Sequence, residues 1–365
     1  MSDSANRSVS RSVSRSQPGV VKTFLSNRLA LVGLILIALF ASMVLAHPLL
    51  MNTLWADSVT IYNPVTGYDA PIIDMTVVEV VEDPTSEVSL IDARLAGNWD
   101  ASVGDVVDIR VQPAPPSADH WLGTDPFGRD VFSMLLNGAW PTFVVGLSAA
   151  LVSALIGTLM ATASAVFRGG VDRILSRFSD VLLLLPAPLA MVILGGGLFS
   201  DFLSPIVFGT IYGVIAGAST VAIVLRSHAL STVERPFVDA ARVSGARGWY
   251  LGRRHLMPHL VPLAAVSMVT AVVGAVVAHG FASWLAFSDE MTNWGAMMFI
   301  AIGFADLQGV VAWNVLISGA AAISLFCAAF YLVSLGLKDV AYRGAEASRR
   351  KQGWATRSSR SETLV

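Results

Sequence analysis

Apolar residues in this chain gather into six long blocks separated by polar segments. The blocks run from about Leu29 to Leu50, Pro141 to Phe167, Phe178 to Phe199, Phe202 to Leu225, Val261 to Phe287 and Val311 to Leu337. Each is at least as long as the roughly 20 residues a helix needs to cross hydrocarbon. Irregular backbone is too costly in lipid, so the blocks predict six membrane helices. The third carries Pro186 and Pro188, which remove backbone donors and predict a kink. Gly146, Gly157, Gly213, Gly217, Gly274 and Gly319 fall inside the blocks. Small residues let membrane helices approach closely, and tight packing accounts for most of them.

Two of the intervening segments have patterns of their own. Between Asn52 and Ala118, β-branched runs at Met75–Val81 and Val103–Val111 are broken by Asp-Pro and Gly-Asn pairs. This predicts a small β-rich lobe outside the membrane. The stretch from Ser231 to Met257 is too polar to span. Ser231-Thr-Val-Glu234 has capping-box spacing and predicts a helix start. Asp239, Ala240, Ala241 and Ser244 then give a short helix with a small-residue face. Gly245 allows the left-handed turn that ends it. A second amphipathic helix is expected from Trp249 to Leu256, before Pro258 and Pro262 open the fifth crossing. Two short helices across a glycine elbow would fill a groove on a partner, the alanines allowing close approach and the arginines meeting acidic rims. A plain surface loop is the alternative.

Composition and charge turn these blocks into an oriented membrane protein. The 365 residues are 54% hydrophobic and 14% charged, against about 25% charged in soluble domains. Basic residues cluster at Arg7–Arg28, Arg168–Arg177, Arg226–Arg254 and Lys338–Arg360. Six crossings put all four clusters on one side, which the positive-inside rule makes cytoplasmic. The other side holds Arg94, Arg110 and Arg129 against 12 acidic residues from Asp57 to Asp119. Both termini are therefore expected inside, in a multi-pass plasma-membrane protein. A cleaved signal peptide ending at Val44-Leu45-Ala46 is the rival for the first block, whose length argues against it. The opening Arg-Ser-Val-Ser repeats cannot bury a core and predict disorder over residues 1–22. The lobe's acidity reads as a solvated surface more simply than as a lure for a basic partner. Its carboxylates lack calcium-loop spacing, so no metal is assigned. The one cysteine, Cys327, allows no intrachain disulfide and reads as packing.

A further motif follows the lobe. His120-Trp-Leu-Gly-Thr-Asp-Pro-Phe-Gly-Arg-Asp-Val-Phe132 leads to Leu136-Asn-Gly-Ala-Trp140. Gly-Thr-Asp-Pro is a turn signal. Arg129 and Asp130 are expected just past a helix start. With Trp121, Phe127, Phe132 and Trp140 they predict an amphipathic helix lying at the outer interface, a collar rather than a substrate contact.

These motifs carry a resemblance. Asp239-Ala-Ala-x-x-x-Gly245 with the distal Pro258 looks like the EAA loop of permease subunits of ABC importers. Gly123, Thr124, Asp125, Gly128, Arg129 and Asp130 resemble the Gly-Thr-Asp-x-x-Gly-Arg-Asp box of the dipeptide/oligopeptide/nickel branch. Arg254-His-Leu-Met-Pro258, Pro262, Asn293-Trp-Gly295, Trp313 and Gly336-Leu-Lys-Asp339 are similar to its later positions. The likeness covers about residues 22 to 343. Asp239 stands where glutamate is usual and Met257 where leucine is; both keep charge or volume. The lobe is longer than the branch leads one to expect.

The resemblance implies an all-α polytopic membrane protein with the six-helix type I ABC importer permease fold and a β-rich extracytoplasmic insert. The divisions are a tail at 1–22, a first crossing at 23–50, the lobe at 51–119, a core at 120–340 with its coupling loop at 229–258, and a cytoplasmic tail at 341–365. It also implies roles. Glu234, Asp239, Ala240, Ala241, Gly245, His255 and Pro258 would couple to ATPase subunits, and the box would line the extracytoplasmic entry. Expected partners are a second permease subunit, by analogy a paralogue, two ABC ATPases, an extracytoplasmic binding protein that the lobe could touch, and the bilayer, with no nucleic acid. No catalytic or metal site is assigned. The chain's lysines are Lys22, Lys338 and Lys351, and none lies in a phosphate-binding loop. ATP and Mg would thus belong to the partner ATPases, with no cofactor on this chain.

Two other classes compete. A secondary transporter needs ionisable groups deep in the membrane. Asp180 and Arg226 lie near inner ends, and the deep His279 reads as a helix-to-helix hydrogen bond. An intramembrane hydrolase would need a nucleophile elbow or paired histidines. His255 and His259 have ligand spacing, but Pro258 is expected to break that helix. The cargo is not legible: dipeptides, longer peptides, nickel chelates and other small solutes all remain open.

Overall fold

A computed structural model describes residues 24–83, 86–110, 112–195, 204–246, 248–284, 293–308 and 311–362. The tail at 1–22 lies outside them. The first helix, α1 (Arg28–Asn52), starts at Asn27, whose side chain accepts hydrogen bonds from the Leu29 and Ala30 backbones, an N-cap. The other long apolar helices are α3 (Val131–Phe167), α6 (Pro205–Val233), α8 (Gly248–Ser283) and the first half of α10 (Trp313–Glu362), through Lys338. These five are long and apolar enough to cross a membrane.

The sixth expected crossing is two helices. α4 (Gly170–Leu184) and α5 (Ala187–Gly195) meet at a 74° bend, so the expected kink is a full break. Leu185 takes an extended backbone (ψ 114°), as the residue before a proline prefers. α4 begins eight residues before the apolar block and carries Asp172, Arg173 and Arg177 on its first turns.

α3 is the central helix and packs along α6 and α8. Gly209, Gly213 and Gly217 form one stripe of α6. A Cβ on Gly213 would meet the Ala149 carbonyl of α3 at 2.8 Å, and one on Gly217 the Ser153 Cα at 2.8 Å. The spacing of four puts all three on one face, so the two backbones close up. α10 lies against α1 and α8.

One apolar helix has no counterpart among the six blocks. Helix α9 (Trp294–Gln308) is apolar but has 15 residues, too short to register as a crossing. Asn293 caps it by accepting from the Gly295 and Ala296 backbones, and its amide donates to Ser283 Oγ at 2.6 Å. Trp294 is buried with Phe40 and Phe326, their ring centroids 5.3–5.8 Å apart.

The lobe holds a three-stranded sheet in the order β2-β1-β3. β1 (Ile72–Val78) and β3 (Val106–Arg110) are the two β-branched runs, paired antiparallel. The short β2 (Glu87–Ser89) adds in parallel and leads into α2 (Leu90–Leu95). Met75, Val77, Val88, Ala93 and Ile109 form its small core. The alternation of buried and exposed residues along β1 is the period of two that a half-covered sheet requires.

Candidate functional site

The two motif regions sit at opposite ends of α3. The box at 123–130 immediately precedes Val131, while Ala161 and Ala165 near its other end pack under the elbow. Thirty-seven residues at about 1.5 Å each make a helix about 55 Å long, more than the ~30 Å hydrocarbon thickness.

The box is a buried structural knot. Thr124 and Asp125 are 0% exposed and His120 and Asp130 1%. Asp125 Oδ1 accepts from the Phe127 and Arg129 backbones, and its Oδ2 takes both Nε (2.8 Å) and Nη2 (2.6 Å) of Arg129. Gly128 (φ +78°) closes the turn, and a Cβ there would also meet the Asp69 carbonyl at 2.7 Å. Arg129 and Asp130 precede the helix rather than follow its start. Asp130 is the N-cap, accepting from Ser133 N at 2.6 Å. The expected helix at the outer interface is instead the first turns of α3, with Val131, Ser133, Met134 and Leu136 buried. Trp121, Phe127 and Trp140 stay exposed around it.

Both stems of the lobe are stitched to this knot. The Asp69 N–H donates to the Gly128 carbonyl at 2.7 Å, and Tyr62 Oη joins the two stems by donating to the Asp119 carbonyl at 2.9 Å. On the other stem, Ala114 N donates to Thr124 Oγ1 (2.8 Å) and Thr124 N to the Ala114 carbonyl (3.0 Å). Asn314 of α10 ties the turn to the bundle through the Leu122 and Thr124 carbonyls. His120 bridges Asp130 and Asp69. Its partners lie 10 and 51 residues away, so no local pattern marks it.

The elbow forms at the far end. α6 runs on to Val233, with Glu234 as its C-cap. The capping-box start at Ser231 is therefore overturned: its hydroxyl bonds back to the His228 carbonyl inside α6. The next helix, α7 (Pro236–Val243), has proline in its first turn, where no N–H is needed. Gly245 has φ +91°. Its N–H donates to the Arg242 carbonyl and that of Ala246 to the Ala241 carbonyl, both at 2.9 Å, the pair of bonds of a left-handed helix stop.

No separate second helix follows. Gly248–Leu251, a wide π turn at Gly252–Leu256 and the fifth crossing are one helix, α8, and Pro258 and Pro262 sit inside it. The π turn explains why Pro258 does not break the helix: the widened bonding just before it absorbs the missing donor. His255 and His259 are thus on one continuous helix, but His259 Nδ1 approaches the His255 carbonyl (2.9 Å) and its ring stacks on Phe237 at 5.1 Å.

The elbow has two faces. Val238 is buried with Val233, Leu251 and Leu256, and Phe237 and Ala241 flank them. The other face presents Asp239, Ala240, Gly245, Trp249, Tyr250 and Val243, the last 90% exposed. Asp239 pairs with Arg242 (3.2 Å) and Glu234 with Arg168 (3.6 Å); exposed pairs of this kind add little. One strong pair was not foreseen: Arg226 of α6 forks onto Asp172 of α4 at 2.6 and 2.7 Å, beside a cavity of about 130 Å³ that Ser164, Ser176 and Asp180 help line. His279 does not make the expected interhelical hydrogen bond among the described residues; its ring packs on Phe208 at 4.9 Å.

Five helices long and apolar enough to cross a membrane, with a polar elbow at one end of the central one, make this a multi-pass membrane protein, and comparison narrows the class. Residues 153–346, more than half the chain, match the family of binding-protein-dependent transport system inner membrane components. The chain belongs to this family. It is 32% identical over 234 residues to the dipeptide transport system permease protein DppC of Bacillus subtilis, covering 62% of this chain and 70% of that protein. It is 30% identical to the glutathione transport system permease protein GsiD of Pectobacterium atrosepticum, over 61% and 72% of the two chains. The probable D,D-dipeptide transport system permease protein DdpC of Escherichia coli is 29% identical, over 64% and 76%.

Proposed function

We propose that this chain is one of the two membrane subunits of an ATP-driven importer for peptides or related small solutes. It forms half of the translocation path and takes its energy from ATPase subunits that seat on the elbow at 229–258. The single observation that carries this reading is the elbow's exposed face: Val243, Trp249 and Tyr250 stand clear of the bundle on a base of buried Val238, Leu251 and Leu256. Exposed apolar side chains gathered on a rigid base mark an interaction site. Glu234, Asp239, Ala240, Ala241, Gly245, His255 and Pro258 either lie on the elbow or hold its root in α6 and α8.

The remaining assignments follow from this one. ATP and Mg act on two partner ATPases, and ATP binding there biases one of two packings of the bundle. A paralogous permease completes the path. The box and lobe face outward, where an extracytoplasmic binding protein delivers the solute, and both termini face the cytoplasm. Six crossings, counting α4 and α5 as one, support that parity. The box serves as the socket that fixes the lobe at the entry.

Uptake of a labelled dipeptide into cells or proteoliposomes carrying the whole complex tests the reading. Uptake should require ATP and persist when the proton gradient is collapsed at constant ATP. Uptake that stops with the gradient and ignores ATP would make the chain an ion-coupled transporter instead.

A further inference from the structure

Both ring nitrogens of His120 face carboxylates. Nδ1 lies 2.8 Å from Asp130 Oδ2 and Nε2 lies 3.0 Å from Asp69 Oδ2. An ionised carboxylate only accepts hydrogen bonds, and a neutral imidazole donates from one nitrogen while presenting a lone pair at the other. With both carboxylates ionised, only the imidazolium satisfies both contacts at once. Burial by itself would lower the His120 pKa, but the two carboxylates outweigh it and hold the group above its ordinary value.

The two carboxylates are not equivalent. The Asp130 side chain is 2% exposed and also caps α3, whereas that of Asp69 is 38% exposed and stands on the lobe's stem. When the proton leaves, Asp69 can turn to water and Asp130 cannot. The neutral ring therefore keeps its proton on Nδ1 for Asp130, and the Asp69 contact is the one lost. The other titratable groups nearby do not replace it. Tyr62, 5.9 Å from the ring, has its hydroxyl engaged by the Asp119 carbonyl. Burial, then Asp130, Asp119 and Asp69, hold its phenol above its ordinary value, so it stays neutral. His47 reaches Ser133 Oγ at 3.5 Å rather than the clasp, and Arg129 is bound to Asp125.

We propose that His120 is a proton-operated clasp: protonated, it bridges Asp69 and Asp130 and seats the lobe's stem on the box; deprotonated, it keeps Asp130 and releases the stem at Asp69. This holds whatever solute is carried and whatever drives the transport. The sign follows from the raised pKa. The clasp's contribution is fully present below the unfolded histidine value of about 6.5 and is lost as the pH rises through the higher folded value. Burial also raises the Asp130 carboxyl, with His120 opposing, and that shift acts in the same sense, adding stability as the pH falls.

Hydrogen exchange on the full chain in lipid nanodiscs tests this, read on peptides spanning 62–70 and corrected for intrinsic exchange rates. Protection of the Asp69 amide should fall about tenfold or more between about pH 5.5 and about pH 9, as for the loss of one charge-assisted hydrogen bond. Asp69→Asn changes the exposed partner and leaves the buried cap intact. It should abolish the pH dependence, and His120→Gln should do the same. Protection of the wild-type stem that ignores pH, or an Asp69→Asn variant that keeps the wild-type pH slope, would overturn the clasp.

Discussion

Gly245→Val is expected to insert and assemble normally yet lose solute uptake by about tenfold or more. Gly245 sits at φ +91° with open space where a Cβ would go, so the valine meets no clash and acts through the backbone alone. Holding a non-glycine residue there costs on the order of 1–3 kcal/mol, and valine, branched at Cβ, lies at the costly end. That is small against the packing of five long helices but large against one turn. The turn can escape only by giving up the hydrogen bonds from Gly245 and Ala246 to the Arg242 and Ala241 carbonyls. α7 then loses its fixed angle to α8, and on the proposed function the ATPase subunits lose the rigid lever they would push. ATP hydrolysis by the assembled complex should continue while uptake falls, both measured in the same proteoliposomes. Gly245→Ala should be milder. Wild-type uptake by Gly245→Val would show that the elbow's angle does not matter.

The second large effect belongs to the box. Asp125→Ala should loosen the lobe and the start of α3 together. Asp125 is fully buried and its partner Arg129 is 11% exposed at the side chain. Removing one member of a buried pair costs about 3–5 kcal/mol, because the other charge is left unpaired. Two backbone donors, at Phe127 and Arg129, lose their acceptor at the same time. Since both stems of the lobe are tied to this turn, protease sites in 62–117 should become accessible well below the unfolding temperature of the bundle. Asp125→Asn keeps an oxygen for the backbone donors but not the charge, so it should fall between wild type and alanine. Equal protease resistance in all three would remove the box from its role as the lobe's socket.

How far the sequence carried this description depends on the range of each interaction. α1, α3, α6, α8 and α10 were readable because a lipid-spanning helix must be long and apolar, and composition alone reports that. The break at Leu185 was half-readable: Pro186 predicts a disturbance but not its 74° size. Local motifs failed where a longer-range interaction overrode them. The capping spacing at Ser231 lost to the buried face of α6, where Ala229, Thr232 and Val233 keep the helix going. Pro258 was read as a boundary because the preceding π turn that tolerates it has no sequence signature. α9 was missed because Trp294 earns its burial from Phe40 and Phe326, which no local window contains.

The candidate sites divide in the same way. The elbow's residues were legible as a polar insert with a glycine stop, and the structure gathers them at one end of the bundle. The box was legible as a motif, but its buried character was not, since Asp69, Ala114 and Asn314 reach it from 10 to 190 residues away. His120 and the Arg226–Asp172 pair were invisible as interactions for that reason. Arg226 counted as a positive charge near an inner helix end, with no partner foreseen.

The most direct test of the central claim is a crosslink from the elbow itself. Ala240 is exposed on α7, and with Cys327→Ser the chain offers a single thiol at Ala240→Cys. In native membranes holding the assembled complex, a short thiol crosslinker at that position should capture a nucleotide-hydrolysing subunit, in a yield that changes when ATP is bound. A complex that contains such a subunit and transports normally, yet never gives that crosslink, would contradict the account.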